Sequence, residues 1–151
     1  MTSHDSDRLV ELLGQVKKLA QEYYQLTGKA LGVTGEIAEF EAARLLGVQL
    51  CGARQEGYDA VRKLGDVEFK LQVKGVCFPA EREASWRIGK VQLDKQWDAV
   101  LMVLLTPDLE PREIWEIDRA SVTALLSSRS RTDPGVKELK RIGRKLWPTT
   151  G

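Results

Sequence analysis

Val67-Glu68-Phe69-Lys70-Leu71-Gln72-Val73-Lys74 alternates apolar and polar residues without a break. A period of two places alternate side chains on opposite faces of an extended chain, so this stretch predicts a strand with one buried and one polar face. Lys63-Leu64-Gly65-Asp66, a turn containing glycine, leads back from it to Tyr58–Arg62, and the order predicts a β-hairpin with Asp59 near the start of its first arm.

On the N-terminal side the period is helical. Leu9, Leu12, Leu13, Val16, Leu19, Ala20, Tyr23 and Leu26 recur at three- and four-residue spacing and predict one amphipathic helix from Asp5 to about Leu26. Thr34 is placed to cap a second helix from Gly35 to about Leu46, stopped by Gly47. On the C-terminal side, Asp98–Leu105 reads as a strand covered on both faces, and Thr106–Pro111 as a turn into a strand over Arg112–Ile117. Asp118 caps a helix through Ala120–Leu126, and a last helix is expected over Val136–Leu146. With no repeat and no Pro-, Gly- or Ser-rich linker, residues 1–151 are expected to form one α/β domain, a mixed sheet flanked by helices.

Composition narrows the function. The longest apolar run, Ala99–Leu105, is far short of the roughly 18–20 residues that cross a bilayer, so no membrane span is expected. The polar start Met-Thr-Ser-His-Asp-Ser-Asp lacks the pattern of a secretory signal, and a cytoplasmic location is the expectation. His4 is the sole histidine, at a position expected to fray, and the two cysteines, Cys51 and Cys77, read as plain buried thiols. These residues offer no tetrahedral zinc set and no Ser-His-Asp or Cys-His arrangement, and no phosphate-cradling Gly-x-x-x-x-Gly-Lys loop occurs. The net charge of +1 hides a polarity: Arg119–Trp147 carries eight bases and two acids, a net +6, which leaves −5 on the preceding residues. A basic end of this kind suits phosphates, and a solvated basic helix accounts for it equally well.

Three features then converge: a second helix bearing Glu36 and Glu39, Gly57-Tyr58-Asp59-Ala60, and Gln72-Val73-Lys74-Gly75. Their order resembles the PD-(D/E)xK nuclease superfamily over roughly Thr34–Phe78, with Gln72 where Asp or Glu is usual. The resemblance implies a restriction-endonuclease-like fold and hydrolysis of DNA phosphodiester bonds. It also implies a Mg2+ or Mn2+ ion held by Asp59, Gln72, the Val73 carbonyl and a helix glutamate, with Lys74 as the catalytic ammonium. Small nucleases of this kind often pair to cut two strands, so a homodimer belongs to the same expectation.

The chemistry is reasonable in its own right. Magnesium takes about six oxygens and usually keeps several waters, so a few protein oxygens and a substrate phosphate are a suitable set. Alternation puts Lys74 on the same strand face as Gln72. Of the helix acids, Glu39 shares a face with Ala42, Ala43 and Leu46 and is preferred as the inward ligand, with Glu36 second and Glu41 peripheral. Both glutamates are also ordinary helix-start acids. Arg87 and Lys90, after the hairpin, and Arg129, Arg131, Lys140, Arg141 and Arg144, in the basic end, are the candidate DNA contacts. Trp86, Trp97, Trp115 and Trp147 fit core packing better than base stacking. The rival reading is a nucleic-acid-binding or protein-interaction module that keeps the scaffold without catalysis, which the uncharged Gln72 supports. A third is a structural subunit whose basic end meets an acidic protein.

Overall fold

The computed structural model describes residues 2–52 and 57–149. In chain order they form α1 (Ser3–Thr27), α2 (Thr34–Leu46), β1 (Gln49–Leu50), β2 (Ala60–Leu64), β3 (Val67–Cys77) and a 3₁₀ turn (Ala80–Ser85). There follow β4 (Ala99–Leu105), β5 (Pro111–Asp118), α3 (Arg119–Leu126), α4 (Val136–Ile142) and β6 (Arg144–Trp147). The strands make one six-stranded mixed sheet in sequence order, antiparallel throughout except for the parallel pair β3–β4. The β2–β3 hairpin turns between Leu64 and Val67, with Gly65 at φ +64°. That is a left-handed conformation glycine adopts without steric cost.

The sheet has a core on each face. β4 is buried along its whole length, as its unbroken apolar run predicts. Its Ala99, Leu101, Val103 and Leu105 pack with Ile37, Ala38 and Ala42 of α2 and Ala20 of α1. Val100, Met102 and Leu104 pack on the other face with Ile88, Val91, Trp97, Val122, Val136 and Leu139. Helix α2 lies close on β3 because Gly75 has no side chain: a Cβ there would collide with Ala38 Cβ and reach 3.1 Å from the Thr34 carbonyl.

Several sequence expectations are corrected. Thr34 is the first residue of α2, with Val33 as its uncapped N-cap, and the Thr34 hydroxyl lies 3.5 Å from Cys77 Sγ instead of capping. His4 sits in the first turn of α1, whose Thr2–Asp5 capping box fixes the helix start. The α1 stripe divides: Leu9, Leu13, Val16 and Ala20 pack on the core, whereas Leu12, Leu19, Tyr23 and Leu26 are exposed. Cys51 and Cys77 are only half-buried, and both are free. Glu41 is fully buried between Lys17 (2.7 Å) and Arg44 (2.6 Å), so it ties α2 to α1 and is not peripheral.

The last helix ends at Ile142, and Arg144–Trp147 pairs with β5 as a strand. Gly143 makes the turn, since a Cβ there would lie 2.8 Å from Ile117 and 2.9 Å from the Leu139 carbonyl. The open edge of β5 supplies backbone partners that outweigh the local helical pattern. Asp118 caps α3 as expected, its Oδ1 accepting from Ser121 N–H at 2.7 Å. Among the described residues no helix is long and apolar enough to cross a membrane.

Candidate functional site

Pairing between β2 and β3 stops at Ala60–Leu71, while β3 continues to Cys77 against β4 alone. The two strands therefore diverge at Gln72, and β3 has an open edge from there on. Asp59 stands at the fork. Its N–H donates to the Leu71 carbonyl at 2.8 Å, and its own carbonyl accepts from Cys51 N–H at 2.9 Å. Its carboxylate Oδ2 then accepts from Val73 N–H at 2.8 Å, in the place a further β2 residue would have taken.

Strand alternation fixes what else faces this edge. Lys70 turns its N–H and carbonyl toward Asp98 on the β4 side. Leu71 and Val73 therefore turn theirs toward the fork, and the Val73 carbonyl points the same way as the N–H bound by Asp59. Gln72 and Lys74 share the opposite register and the side-chain face of Val76. Gln72 is buried, its Nε2 donates to the Gly57 carbonyl at 3.1 Å, and its buried Oε1 has no hydrogen-bond partner among the described residues. Such an orphaned acceptor is uncommon in a folded protein and costly unless something fills it.

Electrostatics tie three elements together. Burial pushes the Glu39 carboxyl up to about 7, and the charges of Asp59 and then Glu36 add to the effect. Burial also raises Asp59, against the lowering by the Val73 hydrogen bond and the Lys74 charge. Lys74 is lowered by burial and partly restored by Asp59. Asp59 at the β2 entry thus couples to Glu39 of α2 on one side and to Lys74 of β3 on the other, and burial disfavours the ionised form of each of the three.

Glu36 is exposed and bears on the group only through Glu39. Among the described residues no three His, Cys, Asp or Glu side chains converge as a metal-sized group, so Glu36, Glu39 and Asp59 do not form a three-carboxylate cage. The candidate oxygens on the elements around the fork are two carboxylates, a carbonyl and the orphaned amide oxygen, with α2 packed on the Leu71–Val73 face of β3 and Gln72 on the other. All are hard donors, and so sparse a set fits a hydrated magnesium-type cation better than a dehydrated one.

The basic candidates fall into two groups. A Cβ built on Gly89 would lie 4.0 Å from Lys74 Nζ, so the ammonium reaches the segment carrying Arg87 and Lys90. That segment is held by Ile88 N–H to the Pro134 carbonyl and Val91 N–H to the Thr132 carbonyl, which leaves Arg87 and Lys90 exposed. The others are mostly engaged within the protein: Arg129 with Glu138, Arg131 with Asp133, Arg144 with Glu116, and Lys140 with both Glu83 and Glu113 at 2.6 Å. Lys90 and Arg141 make no ion pair among the described residues.

Sequence reasoning missed the parts that three residues play, Gly57 among them although it belongs to the Gly57–Ala60 motif. Gly57, at φ +84°, supplies the carbonyl that holds Gln72, and a Cβ there would lie 2.9 Å from Gln96 N and collide with the Lys95 side chain. Gly89 leaves room beside Lys74, and Cys51 pins the backbone of Asp59. The glycine two residues before Asp59 was the one visible signal; the other two depend on tertiary contact. No family model matches the chain, and no curated protein matches it.

Proposed function

We propose that the protein is a metal-dependent nuclease that hydrolyses DNA phosphodiester bonds, on a scaffold of the restriction-endonuclease kind. The observation that carries this reading is the fork itself: Asp59, at an open strand edge, feels the charges of both Glu39 and Lys74 and lies two residues after the glycine whose carbonyl holds Gln72. Four features argue for it together: the antiparallel hairpin, the parallel β3–β4 pair, the acidic helix over β3 and the Asp-then-Gln-x-Lys order.

Asp59, Glu39, Gln72 Oε1 and the Val73 carbonyl would hold Mg2+ or Mn2+. Such a cation, when bound, acidifies a water ligand and offsets charge building on the phosphate. The protein's own groups do the rest. Lys74, on the same face as Gln72, donates hydrogen bonds to a phosphate oxygen or to the attacking water, and its partial burial strengthens that interaction. Water adds to phosphorus and gives up one proton to solvent, the P–O bond to the leaving sugar oxygen breaks, and that oxygen takes up a proton from solvent. Asp59, locked by Val73 N–H, cannot swing away, which keeps the reacting groups in register. Exposed Lys90, and Arg87, whose guanidinium also donates to the Asp133 carbonyl at 2.9 Å, would receive the phosphates next along the strand.

The test is cleavage of plasmid DNA with Mg2+ or Mn2+. Wild-type protein nicks or cuts, and Lys74→Ala loses at least about 100-fold in rate while its circular dichroism is unchanged. Cutting by Lys74→Ala at the parent rate rejects the assignment. One observation favours the second reading, a binding module without turnover: the Gln72 amide is uncharged and half committed to Gly57. Metal-independent DNA binding with no cleavage, together with calorimetry that detects no Mn2+ binding abolished by Asp59→Ala, would decide for the module.

A further inference from the structure

A recess of about 350 Å3 lies between the Arg87–Lys90 segment and the connection from α3 to α4, lined by Arg87, Ser128, Arg129, Ser130, Arg131 and Asp133. Its walls are tied together by the backbone: Ile88 N–H donates to the Pro134 carbonyl, Val91 N–H to the Thr132 carbonyl and Arg129 N–H to the Leu126 carbonyl. The Arg87 guanidinium adds a bond to the Asp133 carbonyl at 2.9 Å. Walls fixed in this way lower the ordering cost of binding.

The charges around the recess do not balance. Arg129 grips Glu138 with two N–H groups, at 3.0 and 2.5 Å, and Arg131 grips Asp133 with two, at 3.0 and 2.7 Å, so each carboxylate is claimed by its own guanidinium. Those hydrogen bonds are the main cause that holds both carboxyls below their ordinary pKa, and the charge of Arg87 adds to the effect on each. Arg87 is thus a third guanidinium beside two carboxylates, and it makes no ion pair among the described residues. Neither does Lys137, which lines the adjoining hollow with Arg87 and Trp86. Four cations against two carboxylates leave two positive charges unmatched. The Ser128 and Ser130 hydroxyls bond nothing among the described residues. Each guanidinium carries five N–H donors, of which the bonds named use at most two.

Spare N–H groups, free hydroxyls and two unmatched charges suit a tetrahedral oxyanion of charge two. A phosphate monoester carries about −1.5 to −2 at neutral pH and three terminal oxygens. A phosphate inside a DNA strand carries a single charge, so the end of a strand matches the recess better than its middle. Trp86, stacked on Phe78 at 5.6 Å, lines the adjoining hollow of about 210 Å3, where an attached nucleoside would lie. Arg87 stands two residues from Gly89, the residue that Lys74 Nζ approaches, which sets the recess a short way from the fork. We propose that the recess binds a phosphate monoester dianion and, in the nuclease reading on which this second half rests, holds the terminal phosphate of the strand presented to the fork.

Binding to the full chain without divalent metal tests both halves, whether or not the fork cuts DNA. Inorganic phosphate and thymidine monophosphate should raise the unfolding temperature and shift the amide resonances of Ser128–Arg131. Arg87→Ala should weaken phosphate about tenfold, the size of one lost charge-assisted contact. Lys18→Ala, an equal loss of charge on α1, should leave phosphate binding unchanged. Ser130→Asp supplies the missing anion from the chain itself, so it should abolish the phosphate response while unfolding no lower than the parent, which separates a lost site from a lost fold. A single-stranded oligonucleotide with a 5′- or 3′-terminal phosphate should bind about tenfold tighter than the same strand dephosphorylated, and either recess variant should erase that preference. No phosphate response in the parent, or one that Arg87→Ala or Ser130→Asp leaves intact, overturns the site. Equal affinity for the phosphorylated and dephosphorylated strands, or none for either, overturns the strand-end assignment and leaves the recess to a small phosphate ester.

Discussion

The Asp59 carboxylate accepts the Val73 N–H at 2.8 Å, so a side chain occupies the ladder position at which β2 has left β3. The contact holds the carboxylate beside an unpaired strand edge and orients it toward the groups of α2 and β3. It also partly offsets the burial that raises its pKa. The expected behaviour of the fork follows from this relationship and from its neighbours.

Glu39 makes stability depend on pH. Its folded pKa of about 7 stands above the ordinary 4.5, so the folded state keeps the proton that the unfolded chain has released. Stability is then fully favoured below about 4.5 and lost as pH rises through about 7. Glu39→Gln should remove this loss and stabilise the protein by about 1–2 kcal/mol at pH 8, after allowance for partial solvent screening. Urea unfolding of the two proteins between pH 4 and 9 measures it; parallel curves would contradict the shift. Asp59→Asn, by removing the second-largest cause, should move the carboxyl titration of Glu39 downward by NMR.

Gln72→Glu separates a cation site from a plain buried amide. The substitution replaces the Nε2 donor to Gly57 with an oxygen facing an oxygen and buries a charge. Without divalent cation it should lose about 1–3 kcal/mol. Mn2+ should recover more of that in the variant than it adds to the parent, because the new carboxylate attracts the ion. Thermal unfolding with and without Mn2+ reads the difference, and an equal response of both proteins argues against a cation at the fork.

Glu41→Ala should destabilise the protein by about 3–5 kcal/mol, because it leaves Lys17, only 12% exposed, without its buried partner and strips Arg44 of its own. On the proposed nuclease reading, the rate of DNA cleavage per folded molecule should not change. Denaturant titration with a parallel activity assay checks both halves.

Gly75→Ala should cost about 1–3 kcal/mol, since the new methyl meets Ala38 across the α2–β3 contact. Ala38→Gly in the same chain should return part of that loss, apart from the helix cost of glycine, about 1 kcal/mol. A double-mutant cycle showing no coupling would mean that the helix shifts freely.

If the protein binds DNA as proposed, Lys90→Ala should flatten the salt dependence of that affinity by about 0.9 in log K against log salt, as expected for one lost phosphate contact. Lys140→Ala should leave that slope unchanged and lower stability instead, because Lys140 is already shared between Glu83 and Glu113. Fluorescence anisotropy at several salt concentrations distinguishes the two.

Much of this was legible in the chain itself. The alternation from Val67 to Lys74 and the turn at Gly65 set the hairpin, the unbroken apolar run set β4, and Gly47 and Asp118 set helix ends, since each depends on backbone geometry or on patterns a few residues long. The acidic helix and the Asp-then-Gln-x-Lys order singled out Glu39, Asp59, Gln72 and Lys74 before any coordinates. The basic end misled in part. A charge count cannot tell a free arginine from one facing a glutamate, and Lys140 and Arg144 face glutamates far away in sequence. Arg144–Trp147 misled for a related reason: its four residues obey whichever partner reaches their backbone, and that partner was the edge of β5.

Sequence by itself determined the β2–β3 hairpin, the buried strand β4 and the ends of α2 and α3, because local sterics and side-chain spacing act within a few residues. Only the tertiary structure decided that Glu41 is buried, that half of the α1 apolar row is left facing water, and that β2 stops one residue short of Gln72. Those outcomes depend on which surfaces meet across the fold, and burial and charge coupling are properties of the meeting and not of either stretch alone.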